Sequence, residues 1–189
     1  PNISESINLF RDIEILSYSG GKIHIPYVTT SKGVNLIREA KKNNLDITAS
    51  VSLAHITFSE KDIPEFNTNF KLIPPLRSES DLNSLKEGLI DGTIDYLTSM
   101  HEPFDIDNKI NVFDNASSGS IGLESMFGLM SNQFTLEKTI DILTRKKIIF
   151  EVDDHPIEIG SLANLSLFNP DKNYDFSEIC ITSSAKMLS

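Results

Sequence analysis

The stretch Asp91-Gly92-Thr93-Ile94-Asp95-Tyr96-Leu97-Thr98-Ser99-Met100-His101-Glu102-Pro103-Phe104 decides the fold. Gly92 supplies the left-handed residue that stops a helix. Residues 94–99 are an apolar run of strand length, closed by a His-x-Pro turn. In a parallel α/β sheet or barrel, side chains converge on a ligand at the carboxyl ends of the strands. Met100 is therefore expected to face a site.

Working outward, Ser78 and Asp81 make a capping-box-like start for a helix carrying Leu82, Leu85 and Leu89. Residues 58–77, interrupted by Pro64, Pro74 and Pro75, read as a loop over an active face. Residues 46–53 and 22–28 read as two further buried strands. Between them Thr30 or Ser31 caps a helix with Val34, Ile37 and Ala40 on one face, ending near Asn43-Asn44. The chain opens on a helix whose apolar residues Ile3, Ile7, Phe10, Ile13 and Leu16 recur at helical spacing, with Gly20-Gly21 as its stop. Downstream, Ser120 or Ile121 is expected to open a short helix and Thr135 to cap another ending near Arg145. Residues 148–152, 162–168 and 178–182 are expected to be antiparallel strands. The alternation of strand and helix is the signature of parallel βα units. Three such strands cannot close a barrel that takes eight. Edge groups beside Val28 and Leu97 are thus expected to need upstream residues of the same protein, a second copy of the chain, or a rearrangement of the strands.

Composition narrows the function classes. A chain of 189 residues, 39% hydrophobic and 23% charged, is long enough for a sizeable core. A net charge of -10 argues against nucleic acid or an anionic membrane as partner, because phosphate binding draws on clustered Lys and Arg. Cys180, the single cysteine, excludes an internal disulfide framework and suits a cytoplasmic protein. No apolar run approaches the roughly 18 residues of a membrane helix. Pro1-Asn2 leads at once into a helix with no initiator Met, so the chain reads as a piece of a longer protein.

Three longer segments carry a family likeness: Asn69-Phe70-Lys71-Leu72-Ile73-Pro74-Pro75-Leu76-Arg77-Ser78-Glu79, Glu87-Gly88-Leu89-Ile90-Asp91-Gly92-Thr93-Ile94-Asp95, and Gly119-Ser120-Ile121-Gly122-Leu123-Glu124. Through them the chain resembles the dihydroorotases, the amidohydrolase-type barrel enzymes of pyrimidine synthesis. The resemblance implies an α/β fold. Residues 1–147 would be the C-terminal part of a TIM-type (β/α)8 metal-dependent hydrolase barrel, its strands near 22–28, 46–53 and 94–99 being the sixth, seventh and eighth. Residues 148–189 would be part of the family's small accessory β-domain. The remaining metal ligands would lie before Pro1.

The resemblance also implies where the chemistry belongs. Hydrolysis of a cyclic amide near neutral pH needs a strong nucleophile, which such enzymes hold as hydroxide on zinc, with a carboxylate moving the proton. The family's metal-site histidine in a His-Val-Ser-Thr pattern falls on Tyr27, and the aspartate of its Thr-Asp-His pattern falls on Met100. A thioether has no titratable proton and is a poor ligand for a hard or borderline cation, and phenols ionise only near pH 10. On the substrate side, the family's ring-binding asparagine falls on Ile73, its carboxylate-holding histidine on Phe104, and its glycine-rich backbone contact on Gly119. A site lined by Ile, Phe and Met would leave dihydroorotate's polar edges unpaired. The expectation is a dihydroorotase-like pseudoenzyme with no catalytic or metal residue of its own, no cofactor, and a structural or assembly role. Aspartate transcarbamoylase is the partner the resemblance suggests. The alternative is an active cyclic amidohydrolase, converting L-dihydroorotate and water to N-carbamoyl-L-aspartate, that holds zinc with upstream ligands.

The other polar groups read as follows. His24, three residues before Tyr27, is expected to point towards the helix layer as a satisfied core histidine. His55 is also expected to be structural, His101 to bond backbone in its turn, and His155 to be exposed. Glu102 is a weak substitute for the lost carboxylate, and Asp105 and Asp107 are solvated loop charges. Gly119 is expected to let a helix begin close under the strand end. Tyr27, Ile73, Met100 and Phe104 are expected to gather as an apolar pocket or a collapsed core.

Overall fold

The computed structural model describes residues 1–145, 157–163 and 165–172. A three-stranded parallel sheet runs in the order β1 (Ile23–Ile25), β2 (Ile47–Ser52), β3 (Tyr96–Thr98). Ile23 lies opposite Ile47, and Ser50 opposite Tyr96. The strands are shorter than the runs that predict them, but each lies inside its expected range.

Helix α2 (Ser31–Lys42) packs between α1 (Asn2–Ser19) and α4 (Glu79–Asp91) and against β2, with the short α3 (Leu53–Thr57) directly after β2. Local chemistry explains their limits. Thr30 Oγ1 accepts the Gly33 amide at 3.0 Å to start α2, Lys41 and Lys42 sit in its last turn, where cations oppose the helix dipole, and Asn44 takes φ 57 just beyond its end. Ser78 accepts the Asp81 amide to start α4, and Gly92 at φ 82 ends it. Ser52 accepts the His55 amide to start α3, a Ser-x-x-His cap that the apolar pattern alone does not reveal.

Val34, Ile37, Leu85 and Leu89 meet Ile25, Ile47, Ala49, Val51 and Leu97 of the sheet in one core. Full burial of each such side chain contributes roughly 1.5–3 kcal/mol. Asp95 locks the register beside this core: its carboxylate accepts the Ala49 amide at 2.7 Å and pairs with Lys41 Nζ at 2.7 Å.

Three expectations need correction. In α1 the buried face is Ser6, Leu9 and Leu16, whereas Ile3, Ile7 and Phe10 are exposed. The helix carries two apolar stripes, and helical spacing cannot say which one meets the core. Residues 120 and 121 open no helix; Ser120 pairs with His101 in an isolated parallel bridge. The next helices are α5 (Ile106–Lys109), α6 (Met126–Ser131) and α7 (Leu136–Thr144), the last capped by Thr135 and ending at Arg145 as expected. Finally, residues 162–163 and 165–168 form no strand. Leu162, Leu165 and Leu167 are exposed, and their spacing lacks the strict alternation of a half-buried strand. Phe168 instead packs on Phe127 of α6 with the rings tilted, centroids 4.5 Å apart. The expected strands 148–152 and 178–182, and His155, lie outside the described residues. Among the described residues no helix is long and apolar enough to cross a membrane.

Candidate functional site

The carboxyl ends of β1 and β3 turn through left-handed residues at the two positions singled out by sequence: Tyr27 has φ 55 and Met100 has φ 48. Neither is glycine or a short amide or carboxylate side chain that eases this conformation, so both are backbone outliers. Outliers of this kind cluster at functional sites and persist only where surrounding contacts hold them.

At the end of β1 those contacts are polar and closely knit. Glu5, on α1, reaches across to the segment after Tyr27. Its carboxylate accepts the amides of Thr29 (3.1 and 3.2 Å) and Thr30 (3.0 Å) and the hydroxyls of both. Arg77 closes the group, with Nε donating to Thr29 Oγ1 at 3.0 Å, one terminal nitrogen to Asn2 Oδ1 at 3.1 Å, and the other 3.9 Å from Glu5. Asp81 binds the next residue, accepting the Ser31 amide at 2.8 Å. No spacing rule links Glu5 to Thr29 or Arg77, and sequence reading missed all three.

His55 anchors the proline loop. It is 2% exposed; Ser52 Oγ lies 2.6 Å from Nδ1, and Nε2 lies 3.1 and 3.2 Å from the carbonyls of Pro74 and Pro75. Carbonyls only accept, so Nε2 carries the proton and the Ser52 hydroxyl donates to Nδ1. Burial is the main cause that lowers its pKa to about 4. This is the structural histidine expected. Lys71 and Lys109 pin the loops beyond: Lys71 donates to the carbonyls of Phe113 and Asp114, and buried Lys109 to those of Thr68, Ser117 and Gly119. Desolvation lowers the pKa of Lys109.

His24 departs from expectation. It lies on the sheet face opposite the helix core, where Nδ1 is 2.8 Å from Thr48 Oγ1 and Nε2 is 2.9 Å from the Tyr96 hydroxyl and 3.3 Å from Ser50 Oγ. Its ring stacks on Tyr96 with centroids 5.2 Å apart. Burial lowers its pKa, opposed by the charge of Asp95. The alternation argument fails because Tyr27 is not in the strand: β1 ends at Ile25, and the left-handed Tyr27 redirects the chain.

The four substituted positions do not gather into one pocket. Tyr27 and Ile73 line a cavity of about 520 Å³ between α1 and the end of β1, together with His24 and Arg77. Ile73 is 71% exposed. Met100 is buried elsewhere, and Phe104 packs against Gly119, where an added Cβ would come within 2.7 Å of its ring. The proline loop holds Ile73 out on the surface, so the expected collapse does not occur. Gly119, at φ 145, leads into the bridge at Ser120 rather than into a helix. Gly122 is tighter still, since a Cβ there would lie 2.6 Å from the Ser99 carbonyl oxygen. His101 Nδ1 faces the Gly122 amide at 3.4 Å, bonding backbone as expected. Glu102, Asp105 and Asp107 are exposed.

Among the described residues no group of three or more His, Cys, Asp or Glu is placed to hold a metal ion. A phenol and a thioether at the two strand ends do not form a donor set suited to zinc. Glu5, beside the end of β1, spends its oxygens on Thr29 and Thr30.

No family model matches the chain. It is 35% identical over 179 residues to the dihydroorotase of Listeria innocua, covering 91% of this chain and 42% of that protein. To the dihydroorotase of Listeria monocytogenes serotype 4b it is 33% identical, covering 98% and 45%. The chain thus spans less than half the length of the curated relatives it matches. Among solved structures it resembles the L-hydantoinase (dihydropyrimidinase) of Arthrobacter aurescens, with a TM-score of 0.74, 22% identity, and coverage of 86% of this chain and 39% of the other. It also resembles the dihydroorotase of Saccharomyces cerevisiae in complex with 5-fluoroorotic acid, with a TM-score of 0.66, 17% identity, and coverage of 77% and 43%. At these identities the structures speak for the fold alone, the α/β architecture of part of a TIM-type barrel.

Proposed function

This chain belongs to the dihydroorotase family of the amidohydrolase superfamily, and on that premise we propose that it is the later part of a dihydroorotase-like protein of pyrimidine biosynthesis that has lost catalysis and keeps a structural or assembly role. The observation that supports this reading is the pair of strand ends. The backbone takes a left-handed turn at both positions where the resemblance puts a metal histidine and a catalytic aspartate, yet the side chains are Tyr27 and Met100. Met100 can neither take nor give a proton, and loss of a single acid–base group typically costs about 10²- to 10⁴-fold in rate. Ile73, out on the surface, and Phe104, packed on Gly119, offer no hydrogen bond to a polar ring or a carboxylate.

Metal analysis and turnover of the full-length protein test the reading. The expected result is no stoichiometric zinc and no hydrolysis of dihydroorotate above background. About one zinc per chain, with turnover abolished by a chelator, would establish the active alternative. The double variant Tyr27→His with Met100→Asp is expected to stay inactive, because the substrate side is unchanged.

The sheet supports the assembly part of the proposal. β1 and β3 are its outer strands, and unpaired edges invite cover. In the proposal that cover comes from upstream residues or a second copy, and aspartate transcarbamoylase is the heterologous partner to examine first. The proposal also makes residues 148–189 part of the family's accessory β-domain, although residues 162–163 and 165–168 form no strand. Size-exclusion chromatography with light scattering checks the sheet argument: a compact, cooperatively unfolding monomer of these 189 residues would remove it.

A further inference from the structure

The two loops beyond the strand ends, residues 58–77 and 101–119, bring exposed apolar side chains together. Phe66, Ile106 and Ile110 line an open groove of about 360 Å³, with Asn67, Asn69 and Asn111 along it. Phe66 is 76% and Ile110 72% exposed. Phe66 also meets Phe113 edge to face, centroids 5.8 Å apart, so the two loops form one surface. Isolated surface apolar residues mean little, but a contiguous set marks an interaction site.

Charge around the groove is one-sided. Glu65 adjoins Phe66, Asp105 and Asp107 flank Ile106, and Asp114 follows Phe113; all four are exposed. The lysines of these loops are engaged, including Lys109, which itself lines the groove. Lys71 and Lys109 are spent on backbone carbonyls of these same loops. Lys61 is paired with Glu79 at 2.9 Å, and Arg77 is held by Thr29 and Asn2. The outward surface is therefore an apolar groove with an acidic rim.

We propose that this groove docks a protein segment that carries aliphatic side chains flanked by lysine or arginine. Complementary charge suppresses wrong partners and speeds encounter, and the rim repels nucleic acid and anionic membranes. The proposal does not depend on loss of catalysis, since the surface would be the same on an active protein. Metal analysis tests that reading and the following experiment tests this one.

The probes are two short amphipathic peptides, one of leucine and lysine and one of leucine and glutamate, titrated into the full-length protein by calorimetry, with backbone amide shifts locating the contact. The lysine peptide is expected to bind at micromolar affinity, weaken with added salt, and shift residues 65–70 and 105–114. Ile110→Ser is expected to weaken it at least tenfold, about 1.4 kcal/mol. Asp105→Lys with Asp107→Lys is expected to reverse the preference towards the glutamate peptide, a gain that misfolding cannot imitate. Equal binding of both peptides, no binding, or shifts elsewhere would overturn the proposal. So would binding to anionic lipid vesicles, or self-association of the protein that Ile110→Ser abolishes.

Discussion

The two faces of the sheet follow different rules. One face presents Ile25, Ile47, Ala49, Val51 and Leu97 to helices α2 and α4 and is sealed. The other presents His24, Thr48, Ser50 and Tyr96, bonded to one another and beside an open cavity. Apolar contacts are non-directional and add up with area, so the helix face tolerates any well-shaped set of side chains. Polar contacts need each partner in place, because a buried group left unsatisfied costs about 1–3 kcal/mol. In the proposed reading, both faces stay in order while Tyr27 and Met100 stand where the family resemblance puts a histidine and an aspartate. A fold held by the helix face and by the polar loops does not depend on what Tyr27 and Met100 contribute.

The largest effect should come from the sealed face. Ile37→Ala, at a position with no exposed surface, is expected to cost 2–5 kcal/mol, roughly, in denaturant unfolding. A loss under about 1 kcal/mol would mean that the helix layer is loosely packed. Acid titration probes the polar side. His55, with its pKa lowered to about 4, is neutral in the folded protein, whereas its unfolded counterpart takes up a proton below about pH 6.5. Its contribution is thus fully present above pH 6.5 and is lost progressively as pH falls towards 4, by roughly 3 kcal/mol in all at about 1.36 kcal/mol per pK unit. His55→Gln should flatten this part of the stability profile, and an unchanged profile would place the acid sensitivity elsewhere.

A smaller loss is expected on the open face. Tyr96→Phe keeps the ring stacked on His24 and removes the hydroxyl that bonds His24, so thermal unfolding should register about 0.5–1.5 kcal/mol. An effect as large as that of Ile37→Ala would erase the contrast between the faces. The smallest effect should have the opposite sign. Tyr27→Asn puts a residue that tolerates the left-handed conformation at φ 55 and is expected to stabilise the fold by about 0.5–1 kcal/mol. Destabilisation there would show that the ring's contacts outweigh the backbone strain.

Legibility in the sequence follows the same division. Helix α2 could be read down to its cap and buried residues because Thr30, Val34, Ile37 and Ala40 obey a local rule. Gly92, Ser78 and Thr135 were legible for the same reason. The exposed stripe of α1 was not, since Ile3, Ile7 and Phe10 have the spacing of a core face and only the tertiary structure decides between the two stripes. The orientation of His24 was lost to a turn two residues downstream. At the candidate site, the family resemblance located Tyr27 and Met100, but the contacts that hold the strand ends were invisible: Glu5 and Thr29 are joined only through space. The expected pocket of four failed because it assumed that nearby apolar residues collapse, whereas His55 fixes the proline loop that carries Ile73.

Gly122 shows how packing and activity can be told apart. Its Cα lies so close to the Ser99 carbonyl that a methyl group would stand 2.6 Å from the oxygen, inside any tolerable contact distance for carbon and oxygen. That constraint acts on working and non-working proteins alike, because it concerns only how the chain passes the end of a strand. Gly122 therefore reports how the chain passes the end of a strand, and reading it as a sign of activity would rest a reaction on a packing distance.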